Sequence, residues 1–597
     1  MSSLTNLYSS IMTISTTKKV AVAHRLRTFN GHGRTVRRRT TRRLVFRPSA
    51  VMVDHATEVR QVKTPYDPVS MWGNMFSTFS LDHQLQQKYS EEIEELKKNV
   101  RSTLMAATST RLLMFIDNLE RLGLAYHFET EIEDKLKQVY DSLEKEGEDN
   151  DLFTTALRFR LLRQHRYQVS CDVFEQYFEE GKRVKESHCS DVEGLLSLYE
   201  AAYVGIPNEK ILDEAMTITT RQLTLMLPRL ESTILKEKVE HGLKFPVQRT
   251  NTIFSLRYYV EIYENDESRD ALVLRLAKLN FNFMQNIYRS ELSEATAWWN
   301  EYNLASEVPY IRDRMVECYV SGVTYRFEPQ YSQIRMMVTK YYILGSVLDD
   351  TYDTYATPQE IDLMTQAMES WNTQETEKLP EYLKLVLKAF MRFTEEFACE
   401  AEKQGKSYVV PYVIEQMKEV GRRYAEAQEW TRAQESPTFQ EYLANGRVTV
   451  LHYVLFPIIA TFTKAATEET IHWLLDDSSK LVTWSADINR LLDDLATHQR
   501  ESKNGTVLTP MDFYMKEKGV SRQEAIIEVT KLLQETWKEI NAEWVNCKTV
   551  PKEICNDLVE ISRLSEIYYK SGEDCYTNPE KNLAPIMAAV LLNPYQV

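Results

Sequence analysis

From about residue 85 onward, apolar residues return every three or four positions between faces rich in Glu, Lys and Arg. That period predicts one amphipathic α-helix after another, beginning over residues 81–104. No segment alternates apolar and polar residues with period two, so strands are not expected. Breaks are predicted in the acidic stretch 144–151, near 245–249 and at 264–268, ahead of a long apolar helix around 272–287. The expected organisation is a leader over 1–53, an amino-terminal helical domain over 54–266 and a carboxy-terminal helical domain over 267–597. No repeat of 30–45 residues accompanies the helices, which argues against a solenoid. The fold class predicted is all-α.

Composition sharpens this picture. With 17 Gly and 18 Pro in 597 residues, helix is favoured and glycine-rich phosphate loops are disfavoured. Neither G-x-G-x-x-G nor G-x-x-x-x-G-K-[ST] is present. The seven cysteines are odd in number and scattered, as reduced thiols would be, and they form no zinc module. The 11 histidines contain no H-E-x-x-H, which disfavours a zinc hydrolase. No uninterrupted apolar stretch looks long enough to span a bilayer, so a soluble chain is expected.

Charge is divided unevenly. Residues 1–53 hold no Asp or Glu and eleven Lys or Arg, leaving a formal −26 on the remainder of a chain whose total is −15. An Arg- and Ser-rich, acid-free leader has the composition of an organellar transit peptide, with plastid as the expected destination and mitochondrion as the alternative. Its rival is a nucleic-acid-binding arm. The acidic body disfavours that rival, and no nucleic-acid partner is expected.

Two acidic clusters carry the candidate chemistry. Asp349-Asp350-Thr351-Tyr352-Asp353 follows the apolar run 336–348, and Asp493, Thr497 and Glu501 follow the largely apolar run 484–492. Residues four apart share a helix face. Asp349 and Asp353 therefore project together, as do Asp493, Thr497 and Glu501. Such oxygen-only faces suit a hard divalent cation, above all Mg²⁺. A D-D-x-x-D string alone is weak in a chain with 87 acidic residues, and Asp476-Asp477 shows how such pairs arise without an i+4 partner. Two clusters, each at the end of an apolar run, are far more specific. Arg312-Asp313-Arg314 adds two planar forks for phosphate oxygens. Tyr569, Asp574 and Tyr576 cluster near the chain end, and the two tyrosines add aromatic faces that stabilise cations.

These segments resemble the class I terpene synthases (terpene cyclases) of plants, over nearly all of the chain after the leader. Trp298-Trp299, residues 327–332, and in the amino-terminal half residues 195–203 and 211–215 look equally familiar. The resemblance implies two α-helical domains, a carboxy-terminal class I bundle and a vestigial amino-terminal α-barrel domain. The amino-terminal half has no D-x-D-D, so protonation-initiated cyclisation is not expected there. By the same resemblance, Asp349 and Asp353 would bind two Mg²⁺ and Asp493, Thr497 and Glu501 a third, with Mn²⁺ as the alternative ion. Arg312, Arg314 and Arg490 would grip the diphosphate, and Tyr569, Asp574 and Tyr576 would line the catalytic wall. The partner implied is an isoprenyl diphosphate, with the protein as a monomer.

Two positions depart from the family pattern. Ser321 stands where a tryptophan is frequent, which removes on the order of 100 Å³ from a packed wall. Together with the leader, this led us to expect geranylgeranyl (C20) or geranylfarnesyl (C25) diphosphate and a di- or sesterterpene hydrocarbon. The alternative is that another side chain refills the space and the substrate is farnesyl diphosphate (C15). After Glu501, Asn504-Gly505 with Lys503 replaces the usual Arg-Gly. A chain-elongating prenyltransferase is the more distant reading, disfavoured because the second cluster is D-x3-T-x3-E. A non-catalytic helical scaffold with a basic arm is disfavoured by the clustered carboxylates.

Overall fold

Asp82 opens the first long helix, His83–Ala106, by accepting hydrogen bonds from the backbone N–H groups of Gln84 and Leu85. Ile93, Leu96, Val100 and Leu104 form its buried stripe, at the three- and four-residue steps read from the sequence. The computed structural model describes residues 66–143, 151–179, 183–433, 437–476, 478–504, 510–569 and 572–597, the side chains of 499–504 and 510 excepted. The leader 1–53 and the bulk of the connector 144–151 lie outside them.

Among the described residues the architecture is helical throughout. The exception is a two-residue antiparallel pair, Phe178–Glu179 with Arg183–Val184, in register Phe178 to Val184. A strand this short has no period to read, which is why the pattern did not predict it. Residues 64–597 pack as one compact unit. The long helix expected around 272–287 runs over Ala271–Tyr302 and starts from an Asp270 cap, after the break at 266–270. At 32 residues it spans about 48 Å. Its amino-terminal part packs on His83–Ala106, where Gln86 Nε2 donates to the Phe283 carbonyl at 2.9 Å. Farther along, Glu291 takes a bidentate ion pair from buried Arg335 at 2.8 and 2.7 Å, joining it to Ser332–Asp350.

Ser332–Asp350 is buried on nearly every face. Gly345 lets it approach the next layer: a Cβ there would lie 2.5 Å from Leu451 Cδ1. Leu451, at φ +69°, is the left-handed hinge between Phe439–Thr449 and His452–Phe462. Counted as one, the segment Phe439–Phe462 is apolar and long enough to cross a membrane, contrary to the sequence reading. It is broken at this hinge, and 61% of its window is buried inside the fold, so core packing accounts for its hydrophobicity.

Candidate active site

The apolar helix Ser332–Asp350 delivers the first acidic cluster as anticipated, but it does not continue as a regular α-helix. Residues Thr351–Tyr355 form a π-turn, with the Ala356 N–H bonded to the Thr351 carbonyl at 2.9 Å. Such wide turns recur at functional sites because they re-aim side chains. Asp349 and Asp353 still face one element. The Tyr424 hydroxyl donates to Asp349 Oδ1 at 3.0 Å, and Gln428 Nε2 donates to Asp353 Oδ1 at 3.0 Å. Tyr424 and Gln428 lie four residues apart on Val410–Ala433, one turn above the other. The side chain of Asp349 is 38% exposed, so it remains open to a ligand.

Asp350 turns inward. It is 1% exposed; one oxygen accepts the Arg312 backbone N–H at 2.8 Å, and the other lies 2.8 Å from Arg312 Nη2. Burial pushes its carboxyl above the usual range, and the Arg312 guanidinium opposes that rise. The same Nη2 reaches Asp349 Oδ2 at 2.7 Å, while Nη1 donates to Thr577 Oγ1 at 2.9 Å. The guanidinium sits 5.1 Å from the Tyr66 ring and 5.3 Å from that of Tyr576. Arg312 is therefore held at the rim of the first cluster.

Arg314, expected to grip phosphate, does not share that place in this structure. It is 2% exposed, and its donors are taken by main-chain carbonyls. Nη2 reaches Asp67 at 2.8 Å and Thr577 at 3.0 Å, Nη1 reaches Asp313 at 3.2 Å and Val69 at 3.4 Å, and Nε reaches Tyr576 at 3.3 Å. A fork whose donors are all satisfied by the protein has none left for substrate. Arg314 ties the segment 67–69 to the loop 576–577.

The second cluster lies on Lys480–Asn504. Arg490 pairs with Asp493 and with Asp494 Oδ1, the latter at 2.6 Å. Its aliphatic stem lies over Gly446, where a Cβ would come within 2.6 Å of Arg490 Cδ. Thr497, one turn beyond Asp493, is 2% exposed, and its Oγ1 has no hydrogen-bond partner among the described residues. A buried oxygen without a donor suits a cation. The Glu501 side chain lies outside the described residues.

Tyr569 feels charges from both sides of the site. Burial pushes its hydroxyl well above the ordinary tyrosine value; the charges of Asp493 and Asp574 add to this, and Arg490 and Arg312 oppose it. One phenol thus senses both lips. Asp574 Oδ1 accepts the Thr577 N–H at 2.9 Å, fixing the turn that presents Tyr576. The Tyr576 hydroxyl lies 3.5 Å from Cys318 Sγ. Around the lips, Asp349 and Asp350 face Arg312, Asp493 and Asp494 face Arg490, and Asp353 is held by Gln428. Five carboxylates against two guanidiniums leave three negative charges, a donor set that fits divalent cations. Among the described residues no three His, Cys, Asp or Glu side chains close into a metal cage. Open lips fit Mg²⁺, which keeps waters and takes phosphate oxygens as ligands.

Ser321 departs from its expected role as the floor of an enlarged pocket. Its Oγ lies 2.6 Å from the Tyr568 hydroxyl and 2.9 Å from the Glu317 carbonyl, and it is 2% exposed. A tyrosine from another helix, Lys552–Tyr568, thus stands directly against the serine. Sequence reading missed Tyr568 for this reason, and it also missed Tyr424 and Gln428. Their four-residue spacing, matching that of Asp349 and Asp353, was the available signal.

Comparison with known proteins fits this geometry. Residues 300–539 match the metal-binding domain of the terpene synthase family, and residues 71–243 match the terpene synthase N-terminal domain. The chain is 45% identical over 526 residues to gamma-cadinene synthase of Ocimum basilicum, covering 87% of this chain and 96% of that protein. It is 42% identical over 526 residues to gamma-curcumene synthase of Pogostemon cablin, covering 88% and 96%. Among solved structures, limonene synthase with 2-fluorolinalyl diphosphate superposes with a TM-score of 0.84 at 28% identity, over 89% and 99% of the two chains. Grey poplar isoprene synthase with three Mg²⁺ ions and dimethylallyl-S-thiolodiphosphate superposes with 0.81 at 29% identity, over 86% and 98%. The chain therefore belongs to the terpene synthase family, as a metal-dependent terpene cyclase that releases diphosphate from its substrate.

Proposed function

We propose that this enzyme ionises farnesyl diphosphate and closes the C15 cation into a sesquiterpene hydrocarbon. The observation that supports this chain length is the 2.6 Å contact between Ser321 and Tyr568, which agrees with a wall refilled by another side chain. Relatives named for cadinene and curcumene, both C15 skeletons, support the same reading. The basic leader favours a second reading, a C20 or C25 substrate.

In this account Asp349 and Asp353 hold two Mg²⁺ ions, and Asp493, Thr497 and Glu501 hold a third, with Mn²⁺ as the alternative ion. When bound, the ions neutralise charge developing on the departing diphosphate. Arg312 and Arg490 stand against the carboxylates of each lip, and their guanidiniums would turn from these carboxylates to diphosphate oxygens once the carboxylates bind cations. Tyr424 and Gln428 keep Asp349 and Asp353 turned toward the opening. Closing the site would exclude the water that quenches an allylic cation. The rings of Tyr569 and Tyr576 contribute roughly 0.5–2 kcal/mol each to stabilising it. Residues 54–266 and 267–597 are the two helical domains, the enzyme acts as a monomer, and the leader 1–53 directs import into the plastid.

The test is incubation with Mg²⁺ and, separately, C10, C15, C20 and C25 diphosphates, followed by gas chromatography. A cyclic hydrocarbon chiefly from the C15 substrate is expected. Preference for C20 or C25 would support the second reading, and no hydrocarbon from any of the four would contradict both.

A further inference from the structure

The amino-terminal half carries no metal-ligating motif, yet one of its loops grips the helix that forms the catalytic wall. Lys552–Tyr568 presents Glu560, Arg563 and Glu566 at three-residue steps, one face of the helix. Each is held by the loop 246–251. Asn251, fully buried, donates through Nδ2 to the Glu560 carbonyl at 2.9 Å and to Glu560 Oε2 at 2.6 Å. Arg563 Nε donates to the Gln248 carbonyl at 3.0 Å. Arg249 Nη1 donates to Glu566 Oε1 at 2.9 Å, and its Nη2 donates to Gln534 Oε1 at 2.9 Å. The Arg249 guanidinium lies 4.3 Å from the Trp537 ring, whose Nε1 donates to the same Glu566 oxygen at 3.0 Å.

Tyr568 and Tyr569 follow Glu566 by two and three residues, about 3–4.5 Å farther along the axis. Within that last turn, any rotation or slip at Glu566 passes directly to both phenols. Tyr568 meets Ser321, and Tyr569 follows it directly, its backbone N–H bonded to the Ser565 carbonyl at 3.0 Å. The other side of the helix rests on Lys480–Asn504, where Ser485 Oγ donates to the Leu558 carbonyl at 2.9 Å. The loop 246–251 therefore supplies the polar anchor opposite the packed face.

We propose that the loop 246–251 is a positioning element of the cyclase site: through Glu560, Arg563 and Glu566 it sets where Tyr568 and Tyr569 stand. The inference rests on the cyclase reading only for its consequence in turnover; the mechanical coupling is independent of substrate. It gives the amino-terminal half a role in shaping product without giving it chemistry.

The experiment compares parent, Arg249→Met, Trp537→Phe and Lys552→Met by amide hydrogen exchange and by turnover. Lys552→Met removes an ion pair to Glu133 at the far end of the same helix and serves as the control. Arg249→Met is expected to speed exchange over 566–577 by about tenfold while peptides of 332–350 stay at the parental rate. Its kcat should fall by about tenfold with KM held within about twofold, and its product ratio should change, because a displacement of about 1 Å is costly in catalysis. Trp537→Phe should move the same readouts less, and it decides the question if Arg249→Met does not fold. Lys552→Met should move none of them. Unchanged exchange over 566–577 overturns the coupling. Faster exchange with parental kcat and product ratio reduces the loop to a stability element and overturns the positioning role. If the parent makes no hydrocarbon, the cyclase reading fails, and exchange still decides the coupling.

Discussion

The Tyr568 hydroxyl lies 2.6 Å from Ser321 Oγ, and both sit within 3.0 Å of the Glu317 carbonyl. A residue 247 positions away thus occupies the space opened by a serine. Tyr568→Ala should reopen that space and move the ratio of kcat/KM values toward C20 and C25 diphosphates. Tyr568→Phe should keep the C15 preference and lose about 1 kcal/mol of stability with the hydroxyl. Steady-state kinetics on the four diphosphates check both, and an unchanged ratio in Tyr568→Ala would remove Tyr568 from the length-setting role.

Arg312 and Arg314 are two residues apart and should separate cleanly by phenotype. Arg314→Met leaves the buried Thr577 carbonyl without this donor and unties the segment 67–69, and should cost about 1–3 kcal/mol of stability. Arg312→Met should lower stability too, because it leaves the buried Asp350 without its cation, but it alone should also lower kcat, because its fork faces Asp349 at the rim. Thermal unfolding and turnover, measured on both variants, distinguish the strut from the diphosphate ligand.

Gly446→Ala places a methyl group 2.6 Å from Arg490 Cδ. Arg490 must then shift away from Asp493 and Asp494, so kcat should fall by about tenfold or more. Thermal stability should change by less than for Arg314→Met. Parental kcat would show that Arg490 need not hold its observed position.

Stability should also depend on pH through His165. Burial alone would depress the imidazole, but its contacts to Glu120 Oε1 at 2.6 Å and Glu133 Oε1 at 3.0 Å raise it to about 9. The folded value lies above the unfolded one of about 6.5. The stabilisation is therefore fully present below about pH 6.5 and lost as pH rises through about 9, with an upper bound of about 3 kcal/mol. Melting temperatures from pH 6 to 9.5 should fall more steeply for the parent than for His165→Ala.

The helices and the two acidic clusters were legible in the sequence because both are local signals. A 3.6-residue period places His83–Ala106, and an i, i+4 repeat places Asp349 beside Asp353. What escaped depended on distant partners. Nothing near Arg314 announces that the carbonyls of Asp67 and Val69 will take its donors, and nothing near Ser321 announces Tyr568. The π-turn at Thr351–Tyr355 escaped because the same residues would also continue an α-helix. Substrate length, inferred from one missing tryptophan, was the reading most exposed to such a compensating neighbour.

The central claim is that Asp349 and its lip bind the divalent ions that release diphosphate. It is tested most directly by farnesyl diphosphate turnover in Asp349→Ala with saturating Mg²⁺, alongside far-ultraviolet circular dichroism. The account predicts a loss of at least about 10²-fold in kcat with parental helical content. Turnover near the parental rate in a folded Asp349→Ala would contradict it.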